Sequence, residues 1–267
     1  MTLRLFIEGD LQAGSTLALP ADAARHVQVL RLQPGDAVWL FNGADFEWPA
    51  RILQMGRREV SVDVGPPLPV QRELACHVTL ALGMPANERM DALVEKAVEL
   101  GAARIQPLHC ERSVLRLTGE RAERRRAHWQ GVAVAASEQS GRTRVPEVAP
   151  ILGLAAWLAA LPGERRGPGQ AATSGPLAPD RWLLSLDARA LPLARLFAGP
   201  IGSAAHTASA AAAPAAVWVL SGPEGGLTAE EQAAAQACGF APVSLGPRTL
   251  RADTAPLAAL AWIAANP

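Results

Sequence analysis

The sequence is poor in the features that mark several common classes of protein. Its three cysteines, Cys76, Cys110 and Cys238, stand far apart and match no zinc-ligand spacing. So sparse and odd a set excludes a disulfide framework and suits a reducing compartment. No apolar run approaches the roughly 20 residues of a membrane span, and the first residues lack a signal-peptide core. Both point to a cytoplasmic protein. There is no G-x-G-x-x-G, and no glycine run is followed by the Lys-Ser/Thr of a P-loop, so neither common nucleotide fingerprint is present. A basic excess is missing too, since 25 Lys+Arg balance 25 Asp+Glu. Any surface for nucleic acid must then be a local patch. Nearly all the positive charge is arginine, which favours bidentate contacts to phosphate and bases.

What is present divides in two. With 267 residues the chain has room for one large domain or two. Residues 1–72 read as short strands (4–7, 15–19, 37–41, 48–53 and 59–64) separated by Gly, Pro, Asn and Asp turns, with a short helix over 21–30. That spacing predicts a small β-barrel. The proline-rich Gly65–Val70 is a connector. From residue 73 onward, the apolar strand 77–82, an amphipathic helix over 87–101 and the strand 104–108 make a βαβ unit. Met90, Leu93, Val94, Ala97 and Val98 form that helix's core face, with Gly101 as its C-cap. A long helix over about 118–139 carries an arginine stripe (Arg121, Arg124, Arg125, Arg126) that also reads as an ordinary solvated face. Two low-complexity stretches, about 162–180 and 199–216, read as insertions.

The densest chemistry lies near the end. Val217–Ser221 is a run of β-formers that stops in Gly222-Pro223-Glu224-Gly225-Gly226, and Thr228–Glu231 reads as a capping box opening a helix. Such a loop offers bare backbone N–H groups to a ligand, although a tight strand-to-helix turn with no ligand reads the same way. Downstream, the strand 242–245 runs into Gly246-Pro247-Arg248-Thr249-Leu250-Arg251-Ala252-Asp253-Thr254-Ala255 and an apolar helix over 254–265. Were the two strands neighbours in a parallel sheet, their loops would sit side by side at its carboxyl edge, where α/β proteins bind ligands.

The pair of loops, Gly222–Gly226 followed by Leu245–Ala255, resembles the signature of the SPOUT methyltransferases, and more narrowly the bacterial 16S ribosomal RNA uracil-N3 methyltransferase family. Arg89–Ala102, Pro107–Val114, Glu138–Glu147 and Ala24–Asp36 are similar to that family as well. The resemblance implies an α/β protein with an N-terminal PUA-like RNA-binding β-barrel (1–72) and a C-terminal SPOUT domain (73–267) tied in a deep trefoil knot. It also implies S-adenosylmethionine as cofactor, N3 of a uridine in 16S ribosomal RNA of the small subunit as substrate, a homodimer, and no metal. Leu186, Leu220, Gly222, Glu224, Gly225, Leu245, Gly246, Arg248, Leu250 and Thr254 fall at the cofactor positions. Arg251 is the candidate to stabilise charge on the uracil, and Glu224 or Asp253 to take its proton. Asp253 also reads as a plain helix N-cap, and Glu224 as a residue that orders the glycine loop. Arg4, Arg25, Arg31, Arg89, Arg112, Arg142 and Arg144 are RNA-contact candidates, each set against ordinary solvated charge. The chain departs from the family at Ala86 and Asn87, where a basic residue and glycine are usual, at Asp187, often His or another polar residue there, and at Ala252 and Asp253, where Thr and Glu are usual. Two other readings stay open: a SPOUT enzyme acting on transfer RNA or a ribose hydroxyl, and an RNA-binding protein that kept the fold without turnover.

Overall fold

The computed structural model describes residues 2–56, 59–86, 89–161, 180–193 and 216–266. Asn87 and, save for Asp180 and Ala216 at their ends, the two low-complexity stretches lie outside the described residues. The chain divides into two compact units, Met1–Glu73 with Val134–Val145, and Leu74–Ala133 with Pro146–Pro267.

The first unit is built on β1 (Leu3–Phe6), β2 (Thr16–Ala18), β3 (Ala37–Phe41), β4 (Phe46–Met55), β5 (Val60–Val64) and β6 (Leu68–Pro69), with α1 (Ala21–Val29) between β2 and β3. The strands pair in the order β1-β3-β4-β5-β2, with β6 on β4. Alternation along the strands sends Val38, Leu40, Trp48, Ala50, Ile52, Val60, Val62 and Val64 to one core. Ala23, Ala24 and Val27 of α1 join it.

A second, polar centre holds this unit's non-contiguous piece. The long helix α3 (Gly119–Ser140) has no basic residue in its last turn, so its terminal carbonyls need donors from elsewhere. Arg4 supplies them. Its Nη1 donates to the carbonyls of Ser137 at 2.8 Å and Glu138 at 3.0 Å. Nη2 donates to the carbonyl of Arg142 at 2.8 Å. The same guanidinium donates to Glu47 Oε1 through Nε and Nη2, and lies 4.6 Å from the centroid of the Phe41 ring. Arg72 Nη1 donates to the same Glu47 oxygen at 2.8 Å. Arg142 engages Glu73, and Arg144 pairs with Asp45 at 2.7 Å. The side chains of Arg4 and Glu47 are only 10% and 7% exposed, so burial pushes the Arg4 guanidinium down even beside its carboxylate partner.

The second unit is a parallel sheet. Its strands are β7 (His77–Gly83), β8 (Arg104–His109), β9 (Glu147–Val148), β10 (Leu152–Gly153), β11 (Asp180–Leu184), β12 (Leu191–Pro192), β13 (Ala216–Ser221) and β14 (Ala241–Ser244). They run in the order β10-β8-β7-β13-β11-β14-β12, with β9 on β8. Helices α4 (Leu154–Ala160) and α5 (Ala229–Ala237) pack on one face of it, where Trp157, Leu158 and Ala235 meet Ala81, Leu183 and Leu220. The helices α2 (Arg89–Glu99) and α6 (Thr254–Ala265) touch each other, and α6 lies against β7 and β13. Covered strands need no solvated face, which fits the burial of every β7 residue from Val78 to Gly83. The helix α2 buries the five expected residues. It stops before Gly101, whose φ of +96° is the left-handed conformation a C-cap needs.

One expectation is revised by this topology. The strands β13 and β14 are not neighbours, because β11 is hydrogen-bonded between them in parallel register. Strand order depends on which apolar runs pair across long chain separations, and nothing local in either strand encodes it.

Replacing Arg4 by Met should destabilise the protein by about 2–3 kcal/mol, since Glu47 keeps only Arg72 and three carbonyls lose their donor. Arg4→Lys, which retains charge without the planar fork, should recover part of this. Urea unfolding of the three proteins gives the comparison, and an Arg4→Met midpoint equal to the parent would count against the capping role.

Candidate active site

The carboxyl ends of three adjacent strands, β13, β11 and β14, open on a cavity of about 850 Å³. It falls within the size range of small-molecule and cofactor sites. Three loops form its walls: Ser185–Asp187 after β11, Gly222–Leu227 after β13, and Leu245–Ala252 after β14. Arg89, at the start of α2, also lines it.

The middle loop can lie where it does only because of its glycines and theirs. A Cβ on Gly83, at the end of β7, would come within 2.6 Å of the Pro223 ring. One on Gly225 would come within 2.9 Å of Arg112 Cβ, and one on Gly222 within 3.0 Å of the Leu227 amide. Gly226 carries φ +68° and its N–H donates to the Pro223 carbonyl at 2.8 Å, closing the turn. Polar braces then fix the loop. Glu224 Oε1 accepts from the Ala86 amide at 3.0 Å and from Arg89 Nη1 at 3.2 Å. Arg112 Nη1 donates to the Gly225 carbonyl at 3.0 Å. The helix α5 opens with the expected capping box, in which Thr228 Oγ1 accepts from the Glu231 amide and Glu231 Oε2 from the Thr228 amide. The other Glu231 oxygen accepts from the Glu111 amide at 2.8 Å, so the turn after β8 is fastened to the same loop.

Of the residues expected around a cofactor, Leu186, Gly222, Glu224, Gly225, Leu245, Gly246, Arg248 and Leu250 line the cavity. Leu220 and Thr254 do not. Leu220 is fully buried beneath, in the cluster with Trp157 and Ala235, and Thr254 is exposed in the first turn of α6. The lining residues not anticipated, among them Leu183, Leu184, Gln232 and Val243, are strand ends and a helix side chain. The rule that ligands bind at carboxyl ends would have reached the strand ends once the sheet order was known.

The charged candidates separate clearly. Arg251 lines the cavity and Asp253 does not. Nor is Asp253 the expected cap: its backbone is already helical at φ −81°, ψ −32°, and its side chain makes no capping hydrogen bond. The carbonyl of Arg251 closes the turn instead, accepting from the amides of Thr254 and Ala255 at 3.0 Å each. Asp187, another lining residue, accepts hydrogen bonds from Arg189, which hold its carboxyl down at about 2. The side chains of Arg248 and Arg251 make no hydrogen bond or ion pair with another described residue.

The RNA-contact candidates change most. Arg4 and Arg142 are corrected: their side chains are 10% and 5% exposed and are spent on carboxylates and carbonyls of the first unit. Arg112 braces Gly225, Arg89 pairs with Glu224, and Arg144 with Asp45. Arg25 and Arg31 are exposed. Arg31 sits at φ +57° just after α1, beside the exposed Val29 and Leu30.

Comparison with known proteins places this architecture. Residues 72–173 and 176–264 match the RNA methyltransferase domain family, and residues 19–65 the RNA methyltransferase PUA domain family. The ribosomal RNA small subunit methyltransferase E of Synechocystis sp. is 32% identical over 98% of this chain and 77% of its own. That of Bacillus subtilis is 27% identical over 97% of this chain and 95% of its own. The crystal structure of the Neisseria gonorrhoeae ribosomal RNA small subunit methyltransferase E bound to S-adenosyl methionine superposes with a TM-score of 0.79. It is 31% identical, with 98% of this chain and 96% of that one covered. On its PUA-like sheet, its parallel methyltransferase sheet and these matches along its length, the chain belongs to the ribosomal RNA small subunit methyltransferase E family.

Proposed function

We propose that the protein methylates small-subunit ribosomal RNA with S-adenosylmethionine, and that the acceptor is N3 of a uracil in the 16S molecule. The single observation that carries this reading is the cavity at the three strand ends, in a chain similar throughout to a relative crystallised with that cofactor. The residues present fit such a ligand. The volume is adequate, and Gly226 and Gly246 leave open space where a side chain would stand. The apolar Leu186, Leu245 and Leu250 offer flat contact for an adenine. When bound, the cofactor supplies an electrophilic methyl group on a sulfonium.

The chain's own residues then have distinct tasks. The glycine loop presents backbone N–H and C=O groups, and Arg251 stabilises negative charge on the uracil oxygens. Glu224 and Arg112 act as positioning residues: Glu224 ties its own loop to the Ala86 amide and Arg89, and Arg112 holds the Gly225 carbonyl from outside. Aligning the two reacting centres is most of what such a displacement demands. Exposed Arg25 and Arg31 provide the RNA contacts of the PUA-like unit. The same reading includes a trefoil-knotted cofactor loop and a homodimer, for which light scattering at twice the chain mass is the expected result.

Labelled S-adenosylmethionine incubated with small subunits lacking base methylation should place label on one uracil N3 of the 16S RNA. Cofactor binding without such label would leave the family intact and refute the substrate. No cofactor binding at all would favour a non-enzymatic RNA binder.

Gly225→Ala should weaken S-adenosylmethionine binding by about tenfold, since the new Cβ must displace Arg112 or the loop. Arg112→Ala should weaken it less and Arg112→Lys less again. Calorimetric titration reads the affinities, and thermal midpoints within a few degrees of the parent would separate positioning from unfolding.

A further inference from the structure

The charged groups around the cavity are unevenly committed. Five face it: Arg89, Arg248, Arg251, Asp187 and Glu224. The two carboxylates are occupied, Glu224 by the Ala86 amide and Arg89, and Asp187 by Arg189. Two of the three guanidinium groups, those of Arg248 and Arg251, have no partner among the described residues. No histidine, cysteine, lysine or tyrosine is among the described residues that line the cavity. Among the described residues, the lining is therefore rich in unspent positive charge and has no uncommitted group suited to accept a proton near neutral pH.

We propose that the uracil N3 proton is taken by solvent hydroxide rather than by a side chain, and that Arg248 and Arg251 together make this possible by stabilising the uracil anion. The inference rests on the reading of uracil-N3 methylation above. The N3–H bond breaks with its proton going to hydroxide, which becomes water. The electron pair left on N3 forms the N–CH3 bond as the S–CH3 bond breaks, and the S–CH3 bonding pair stays on sulfur. The negative charge is spread over N3 and the two ring oxygens, which a pair of guanidinium forks can reach and a single one cannot fully cover. Arg248 thereby moves from a cofactor contact to a substrate contact. Asp187, held at about 2 by Arg189, is too weak a base to compete.

The test is the pH profile of single-turnover methyl transfer to small subunits carrying either uracil or the more acidic 5-fluorouracil. If solvent takes the proton, the rate rises tenfold per pH unit and levels off at the acidity of the substrate. The levelling point then moves down by more than about one pH unit with the fluorinated base. Arg248→Ala and Arg251→Ala should each lower the rate at neutral pH by about 100-fold, push the levelling point up, and lose less rate with the fluorinated substrate. Calorimetric binding of S-adenosylmethionine by both variants should stay within about threefold of the parent. A levelling point that is the same for both substrates belongs to a protein base and overturns the proposal. So does a loss of cofactor binding in Arg248→Ala with an unchanged profile. Absence of any uracil-N3 label with the parent protein removes the underlying reading, and is distinguishable because no profile is then measured.

Discussion

The active-site region depends on one close approach: the Gly222–Gly226 loop lies against the end of β7 and against Arg112 at distances that leave no room for a Cβ on Gly83 or Gly225. Everything fastened to it follows from that contact. With Gly83 and Gly225 in place, Glu224 reaches the Ala86 amide, Arg112 reaches the Gly225 carbonyl, and Glu231 spans from its own helix start to Glu111. The loop is thus held from two strand ends, β7 and β8, that do not themselves face the ligand loops of β11 and β14. Preorganisation of this kind leaves little backbone to be ordered when a ligand enters.

The electrostatics divide along the same lines. Carboxylates that line the cavity, Glu224 and Asp187, are paired, whereas the side chains of Arg248 and Arg251 have no partner among the described residues. A net-neutral chain can therefore present a positive site, because its neutrality arises from pairs placed elsewhere: Arg4 and Arg72 with Glu47, Arg142 with Glu73, Arg144 with Asp45. Those pairs spend arginines on cohesion.

Much of this was legible in the sequence. The apolar helix over 254–265, the β3 strand over 37–41, the core face of α2 and the capping box at Thr228 emerge as read, because each is decided by local periodicity or by a short-range hydrogen bond. The cavity loops were legible for a similar reason, their glycines and prolines being local demands. Roles decided by distant partners were not. Nothing near Arg4 shows that Glu47 and the end of α3 will enclose it, and a buried arginine has the same letter as a solvated one. Asp253 is a related case: its spacing fits an N-cap, but the turn is closed by the carbonyl of Arg251. The insertion of β11 between β13 and β14 belongs to pairing order, which single-strand patterns do not carry.

The discontinuous make-up of the first unit bears on how the protein can be handled as parts. Its polar centre takes Arg4, Glu47 and Arg72 from the chain's beginning and the carbonyls of Ser137, Glu138 and Arg142 from far downstream. A fragment ending near residue 73 carries the donors without their acceptors, and Glu73 without Arg142. The first unit of this protein is therefore not a portable module. It cannot be transplanted, shuffled or expressed alone without bringing the tail of α3 with it.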